Sequence, residues 1–326
     1  MNKRIVSIVI TVMFCLISPI ASSESSQNFT VDNTDPEMST GDYFHYSLDM
    51  GGLLLSMESE SENIIDVQEN SNTGMRMEYG GTSCLQTDWT DCDVLLMTYE
   101  LNMTVVFSSG SGIDNDRMVV LMRDESTIVH SGLQSQDTMV STMDMWYTID
   151  GEPYHDETIG TEITTEIAEN EEPESIKVGD TWTVRESTET IINEKTRMND
   201  EPWEHEDEEI ESETTTTNYN AEELSNVYVG EMMYETLKFK TEELGSGMSQ
   251  IVYVAVTGMP VKMEYYEEGD LQMIATLDDY KWTNEPSLSG TGDSNEGDLI
   301  GELPGFTILP TLVASVLALF IVKRNQ

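Results

Sequence analysis

From Thr40 onward, apolar and polar residues alternate with a period of two, and Gly or Pro interrupts the pattern at short intervals. This pattern is typical of β-strands that bury one face and are joined by turns. It is clearest near the end of the alternating region, where the apolar run 251–256 is followed by a turn at 258–260 and by two alternating segments, 261–266 and 271–278. We predict a three-stranded antiparallel meander there and a mainly β fold for the chain.

Three short sequence matches recur in the same order at a nearly constant spacing. They are Gly41-Asp42-Tyr43-Phe44 with Gly179-Asp180-Thr181-Trp182, Tyr99-Glu100 with Tyr234-Glu235, and Met139 to Asp144 with Met273 to Asp278. Tandem copies of one unit produce such a spacing. The sequence therefore predicts two tandem antiparallel β-sheet modules, each a curved sheet or half-barrel, in residues 40–170 and 171–283. The methionines of the third match and Leu277 are expected to be buried at equivalent places in the two copies.

The second module, over 177–282, resembles the LolA-type lipoprotein-carrier fold. The resemblance rests on the order of its Gly-Asp-Thr-Trp strand, the Val229-Gly230 turn, a Tyr-Glu-Thr-Leu strand and a Gly-Met-Pro-Val-Lys turn. In that family a curved antiparallel sheet cups an apolar ligand, so the resemblance implies an apolar pocket. Its candidate lining is Met233, Leu237, Phe239, Val252, Val254, Met263 and Met273. A packed core would contain the same residues, and the sequence leaves both interpretations open.

Apolar segments at the two ends predict export and anchoring. Lys3 and Arg4 precede an apolar run and then small residues, the order found in a secretory signal peptide, which we assign to 1–23. An N-terminal segment, 24–39, leads into the first module. Residues 284–303 are rich in Gly, Ser and acids without periodicity, which predicts a flexible acidic stalk. Residues 304–326 contain an uncharged apolar run before two terminal cations, which predicts a transmembrane helix with the rest of the chain outside the cell.

The C-terminal tail also resembles a known sorting signal. Pro304, Gly305 and Phe306, followed by one apolar helix and a basic terminus, are similar to the PGF-CTERM signal of archaeal surface proteins. The resemblance implies that an archaeosortase removes the tail and that a lipid is attached to the new C-terminus. A plain single-pass anchor is the alternative. Both place the protein on the cell surface, membrane-anchored with an extracellular ectodomain.

The net charge of the chain limits the classes of partner that it can bind. Asp and Glu number 62 against 15 Lys and Arg, a formal net charge of −47 at pH 7. The acidic residues lie between the two apolar ends, so they belong to the exported part. Nucleic acids and anionic headgroups are repelled by such a surface. Loosely bound divalent cations are candidate partners, because acidic stretches such as 204–211 offer oxygen ligands without the spacing of a calcium loop.

Two kinds of covalent modification are predicted. Cys84 and Cys92 are the cysteines that remain once the signal peptide is removed, and an even count in an exported chain favours a disulfide between them. Asn28-Phe29-Thr30 and Asn102-Met103-Thr104 are glycosylation sequons, so Asn28 and Asn102 are candidate glycosylation sites.

The sequence offers little chemistry for catalysis. His45, His130, His155 and His205 show no spacing typical of a zinc site or of a base beside its nucleophile, and we interpret them as surface residues. We therefore predict no catalytic residue, no cofactor and no specific metal site. Two functions remain. The first is a noncatalytic, membrane-anchored, highly acidic surface protein of the cell envelope that acts as a binding or structural module; the second is a carrier of a lipid-like ligand in the apolar pocket.

Overall fold

The computed structural model of the chain describes its central part. The described residues are 31–32, 38–60, 64–70, 73–86, 89–90, 92–108, 112–169, 175–199, 201–205, 208–255 and 258–283. The predicted signal peptide, stalk, sorting signal and transmembrane helix lie outside the described residues, as does Asn28. Within the described part, no helix is long and apolar enough to span a bilayer.

Strands make up most of the described part, which confirms the predicted mainly β fold. Their bounds are β1 (Val31–Asp32), β2 (Tyr43–Asp49), β3 (Ile64–Glu69), β4 (Gly74–Gly81), β5 (Asp93–Phe107), β6 (Arg117–Ser131), β7 (Gln134–Ile149), β8 (Glu152–Ala168), β9 (Ser175–Ile176), β10 (Thr181–Met198), β11 (Glu204–His205), β12 (Glu209–Val229), β13 (Met232–Glu243), β14 (Met248–Ala255), β15 (Pro260–Glu267) and β16 (Asp270–Lys281). Helix α1 (Gly51–Glu60) and a 3₁₀ turn (Asp114–Asp116) complete the set. The predicted meander is β14, β15 and β16.

Twelve of these strands close into one antiparallel barrel. Their order around the wall is β2, β4, β5, β6, β7, β8, β10, β12, β13, β14, β15 and β16. The ring closes where Leu277 of β16 pairs with Tyr46 of β2. β3 continues the line of β4 along β5, and β11 continues the line of β12 along β10. Closure leaves no open edge in the ring, so each of the twelve strands has a hydrogen-bonded neighbour on both sides.

The two predicted modules are therefore not separate sheets. Residues 40–170 supply six adjacent strands of the wall and residues 171–283 supply the other six. The halves also join where Ile163 of β8 pairs with Ile191 of β10. One apolar cluster runs through both halves. A half-barrel on its own would expose two unpaired edges, and joining the halves pairs both of them.

The first sequence match marks an equivalent turn in each half. The backbone amide of Ser39 donates to Oδ2 of Asp42 at 2.9 Å, and that of Lys177 donates to Oδ2 of Asp180 at 2.7 Å. The glycine before each aspartate has a positive φ, +86° in the first turn and +91° in the second, a conformation that favours glycine. The two turns start the first strand of each half, β2 and β10. The second match, Tyr99 and Tyr234, falls on the third strand of each half, β5 and β13.

The third match keeps its facing but not its strand order. Met139, Met143, Met273 and Leu277 are all buried, as predicted. However, the first two lie on β7, the fifth strand of its half, whereas the last two lie on β16, the sixth strand. Adjacent strands of this barrel run in opposite directions, so the two segments are antiparallel in the fold. The prediction of equivalent places is wrong for this match, although both segments put their apolar residues inside.

Helix α1 fills a gap in the wall where β2 ends early. It packs between β3 and the start of β16, with Leu53 and Leu54 buried in the core. A Cβ added at Gly52 would lie 1.7 Å from the backbone oxygen of Leu271, so only glycine allows this approach. The alternation of the sequence did not predict this short helix.

Candidate functional site

The predicted pocket residues form an apolar inner surface. Leu237, Phe239, Val252, Val254, Met263 and Met273 are each buried to at least 97% and belong to one cluster on β13, β14, β15 and β16. We call these six residues, with Leu277, the apolar wall. Met233 does not belong to it, because it lies at the tip of the β12–β13 hairpin and is 55% exposed.

A second inner surface of the barrel is acidic. Burial alternates along the strands, and the following carboxyl side chains occupy positions on the inward face: Asp124 on β6, Asp137 on β7, Glu162 and Glu166 on β8, Glu186 on β10 and Glu243 on β13. We call these six residues the acid wall. Buried threonines lie beside them on β8, β10 and the neighbouring strand β12: Thr158, Thr164, Thr190, Thr215 and Thr217. The inside of one barrel thus carries two chemistries.

Several oxygens of the acid wall lack hydrogen-bond partners. Asp124 is 2% exposed, and neither of its carboxylate oxygens has a partner within 3.5 Å. Asp137, Glu166 and Glu243 each leave one oxygen in the same condition. The second oxygen of Glu166 accepts from the Ser135 hydroxyl at 3.1 Å. An unpaired oxygen in this setting is expensive, on the order of 1–3 kcal/mol for each neutral group and more for a charged one.

Burial raises the pKa of every carboxyl in the acid wall. It raises the pKa of Asp124 from its ordinary 3.8 to about 8, against a smaller opposing effect of the Ser141 hydroxyl. It raises the pKa of Asp137, Glu162 and Glu243 to about 7. Nearby carboxylates add to the effect at each of these sites. The pKa of Glu186 rises to about 8, and the pKa of Glu166, which is hydrogen-bonded to Glu186, rises well above its ordinary value. The acid wall therefore holds protons at neutral pH.

No basic side chain of the described residues faces the acid wall from its own strands. Lys and Arg on β6, β10 and β13 all occupy the outward positions of the alternation; they are Arg117, Arg123, Arg185, Lys195, Arg197, Lys238 and Lys240. His130, near the end of β6, adds no charge, because burial lowers its pKa to about 4. The lack of a facing Lys or Arg on these strands adds to burial in favouring the protonated form of these carboxyls.

A smaller polar cluster lies on the outer face of the barrel. Asp144 of β7 and Glu157 of β8 are directly opposed across the two strands. Nε2 of His155 lies 2.7 Å from Oδ1 of Asp144, and Arg197 of β10 binds the Glu157 carboxylate. Asp144, His155 and Glu157 each offer one ligand atom, and these atoms lie within 4.8 Å of one another. We call these three residues the His155 cluster.

The predicted disulfide and one predicted glycosylation site lie beside or on β5. Cys84 and Cys92 form the predicted disulfide, which closes the connection between β4 and β5. Cys92 packs with Trp89, Val94 and Val129 in a small cluster outside the main core. Asn102 lies in the middle of β5, and its side-chain oxygen accepts a hydrogen bond from the Asn70 side chain at 2.9 Å.

Comparisons with known proteins give one distant structural likeness. No family model and no curated protein matches the chain. Among solved structures, it is similar to the crystal structure of a β-barrel-like protein of the domain of unknown function DUF1849 from Brucella abortus, at 8% sequence identity and a TM-score of 0.38. The match covers 74% of this chain and 98% of that one.

Neither the acid wall nor the His155 cluster was predicted from the sequence. In β8 the isoleucines at 159, 163 and 167 occupy the outward positions, while Glu162 and Glu166 point inward. A reading of apolar residues as the buried face gives the opposite orientation. His155 meets Asp144 only through the pairing of β7 with β8, and no local spacing encodes that register. The one sequence feature that could have indicated a polar inner face is the dense alternation of Thr and Glu along β8, β10 and β12.

Proposed function

We propose that the chain is a noncatalytic binding module of the cell envelope, held at the extracellular surface by a membrane anchor. The export signal, the apolar tail and a disulfide support a place outside the cell. The strongly acidic composition supports a surface that is soluble in a saline exterior. The inward side chains of the closed barrel could bind a ligand selectively.

The acid wall is the observation that carries binding over a purely structural role. A structural barrel would gain stability from apolar or hydroxyl side chains at these positions, because burial of a carboxyl is unfavourable and both oxygens of Asp124 are buried without a hydrogen-bond partner. Natural proteins keep such unfavourable groups mainly where they serve a function. Carboxyls with unpartnered oxygens favour a ligand that donates hydrogen bonds or carries positive charge. An amine-bearing small molecule has both properties.

Native mass spectrometry of the full-length protein, purified from its host membranes in mild detergent, tests this proposal. We expect an additional noncovalent mass on the protein, which is lost in the variant Asp124→Asn/Glu162→Gln. The control Glu125→Gln changes an outward, exposed carboxyl of the same strand and should keep the ligand. A bare mass for the wild-type protein under gentle conditions would support a structural role instead.

A carrier of a lipid-like apolar ligand is the second candidate. The observation that favours it is the apolar wall, since six of the seven predicted pocket residues face the inside of one closed barrel. The same spectrum separates the two candidates. A ligand with the mass and fragmentation of a lipid, retained by Asp124→Asn/Glu162→Gln, would support the carrier.

The anchoring part of the proposal includes removal of the tail by an archaeosortase and attachment of a lipid. Its support is the Pro304-Gly305-Phe306 motif ahead of the apolar run. Top-down mass measurement of the mature protein from its host should show a chain that lacks Phe306 to Gln326. An intact tail would leave a plain single-pass anchor.

A further inference from the structure

We propose that the His155 cluster on the outer face of the barrel is a binding site for a Zn²⁺-like divalent transition metal. The ligands are the imidazole of His155 and the carboxylates of Asp144 and Glu157. The site is separate from the acid wall, because all three side chains occupy outward positions of β7 and β8. It therefore does not depend on the proposed binding function of the interior.

The geometry is close to that of a three-ligand zinc site. Tetrahedral Zn²⁺ with bonds of about 2.0–2.1 Å places its ligand atoms roughly 3.3 Å apart. The three ligand atoms of the cluster already lie within 4.8 Å of one another, and His155 and Asp144 are at 2.7 Å. Side-chain rotations of a size common in folded proteins are enough to bring Glu157 to the same centre. The side chains are 20–33% exposed, which leaves the fourth position open to water.

Electrostatics at the cluster favour a cation. Like charges directly opposed across two antiparallel strands are destabilising, and Asp144 and Glu157 are such a pair. Arg197 forms an ion pair with Glu157. A divalent ion bound between the two carboxylates removes their repulsion, and the Arg197 guanidinium then holds the orientation of the Glu157 ligand.

The imidazole is held in place by its neighbours. The Trp146 ring stacks on that of His155 with centroids 5.0 Å apart and planes 5° apart. The backbone amide of His155 donates to Oδ1 of Asn199 at 2.9 Å, and the amide of Asn199 donates to the His155 carbonyl at 2.6 Å. These contacts fix both the ring and the backbone from the two neighbouring strands. A fixed imidazole loses less conformational entropy when it binds a metal.

The donor set indicates the class of metal. One imidazole and two carboxylates suit Zn²⁺ and its neighbours in the first transition series, whereas Ca²⁺ and Mg²⁺ prefer oxygen ligands alone. This distinguishes the cluster from the remaining acidic surface, whose Asp and Glu side chains offer oxygen ligands alone.

The chain contains a matched control. His45 also pairs with a single aspartate, with its Nδ1 at 3.5 Å from Oδ2 of Asp278, on the outer face of the same barrel. No third ligand residue accompanies that pair among the clusters found in the described residues. His45→Ala therefore removes a histidine and an ion pair of the same kind without touching the proposed site.

Isothermal titration of the full-length protein with Zn²⁺ tests the proposal. The protein is first treated with a chelator, and a large excess of Ca²⁺ suppresses loose binding to surface acids. We expect one site per chain, an affinity at least tenfold lower in His155→Ala and in Asp144→Asn, and an unchanged affinity in His45→Ala. Substitution with Co²⁺ should give the visible absorption of a four-coordinate site with nitrogen and oxygen ligands.

Three results would overturn the proposal. They are zinc binding that Ca²⁺ abolishes, equal losses of affinity in His45→Ala and His155→Ala, and wild-type affinity in His155→Ala. Circular dichroism establishes that each variant is folded. If His155→Ala does not fold, Glu157→Gln takes its place, since it keeps the size of the side chain, and retained wild-type affinity in that variant would equally overturn the site.

Discussion

The apolar wall and the acid wall are both built from alternating strands of one closed barrel, yet burial of their inward side chains has opposite effects on stability. At Phe239 or Val254, burial itself is favourable, because apolar surface leaves water. At Asp124 or Glu166, burial is unfavourable unless a proton or a ligand compensates the carboxyl. The first wall stabilises the barrel at any pH, and the second makes its stability depend on pH.

The largest expected effect belongs to the apolar wall. Leu277 is 2% exposed, and Leu277→Ala should lower the free energy of unfolding by about 2–5 kcal/mol, because it leaves a cavity in a packed interior. Thr276→Ala, on the opposite face of β16, should cost much less. Urea unfolding of the two variants measures both. Equal losses in the two variants would mean that β16 has no buried face, which would contradict the apolar wall.

The next effect is the pH dependence that the acid wall confers. Its carboxyls have pKa values of about 7 or 8 when folded, above their ordinary values of 3.8 and 4.5, so the folded state binds more protons between those limits. Stability contributed by these groups is fully present below about pH 4 and is lost as the pH rises to 8. We expect the free energy of unfolding to fall steadily from pH 5 to pH 8.5.

This profile should be measured at high salt, where repulsion among surface acids is screened. A surface effect would then shrink, whereas the effect of the enclosed carboxyls would persist. Stability that is flat or that rises from pH 5 to pH 8.5 would contradict the assignment of the acid wall.

The smallest effect isolates one carboxyl. Asp124→Asn removes the group that must ionise in an enclosed site, so it should stabilise the protein by roughly 1–2 kcal/mol at pH 8.5 and change little at pH 5. Glu125→Gln is the control, since Glu125 lies outward beside Arg123. Thermal unfolding at the two pH values gives the comparison. A loss of stability at pH 8.5 would mean that the charged form of Asp124 is compensated.

The sequence predicts the apolar wall far better than the acid wall. The alternation in 251–278 identifies β14, β15 and β16 and places Met263, Met273 and Leu277 inside. In β8, by contrast, the inward face is made of Thr and Glu, so hydrophobic alternation assigns the wrong face. Local patterns could not predict closure of the barrel, because it depends on the pairing of β16 with β2, which lie at opposite ends of the barrel sequence. The Gly-Asp turns, which are local, were recognised as equivalent and are so.

Infrared titration of the folded protein is the most direct test of the acid wall. Protonated carboxyl groups absorb separately from carboxylates, so their number can be followed from pH 4 to pH 9. We expect several carboxyls to stay protonated near pH 6.5, and their absorption to be reduced in Asp124→Asn and in Glu162→Gln but not in Glu125→Gln. Complete ionisation of all carboxyls of the ligand-free, folded protein by pH 5.5 would contradict it.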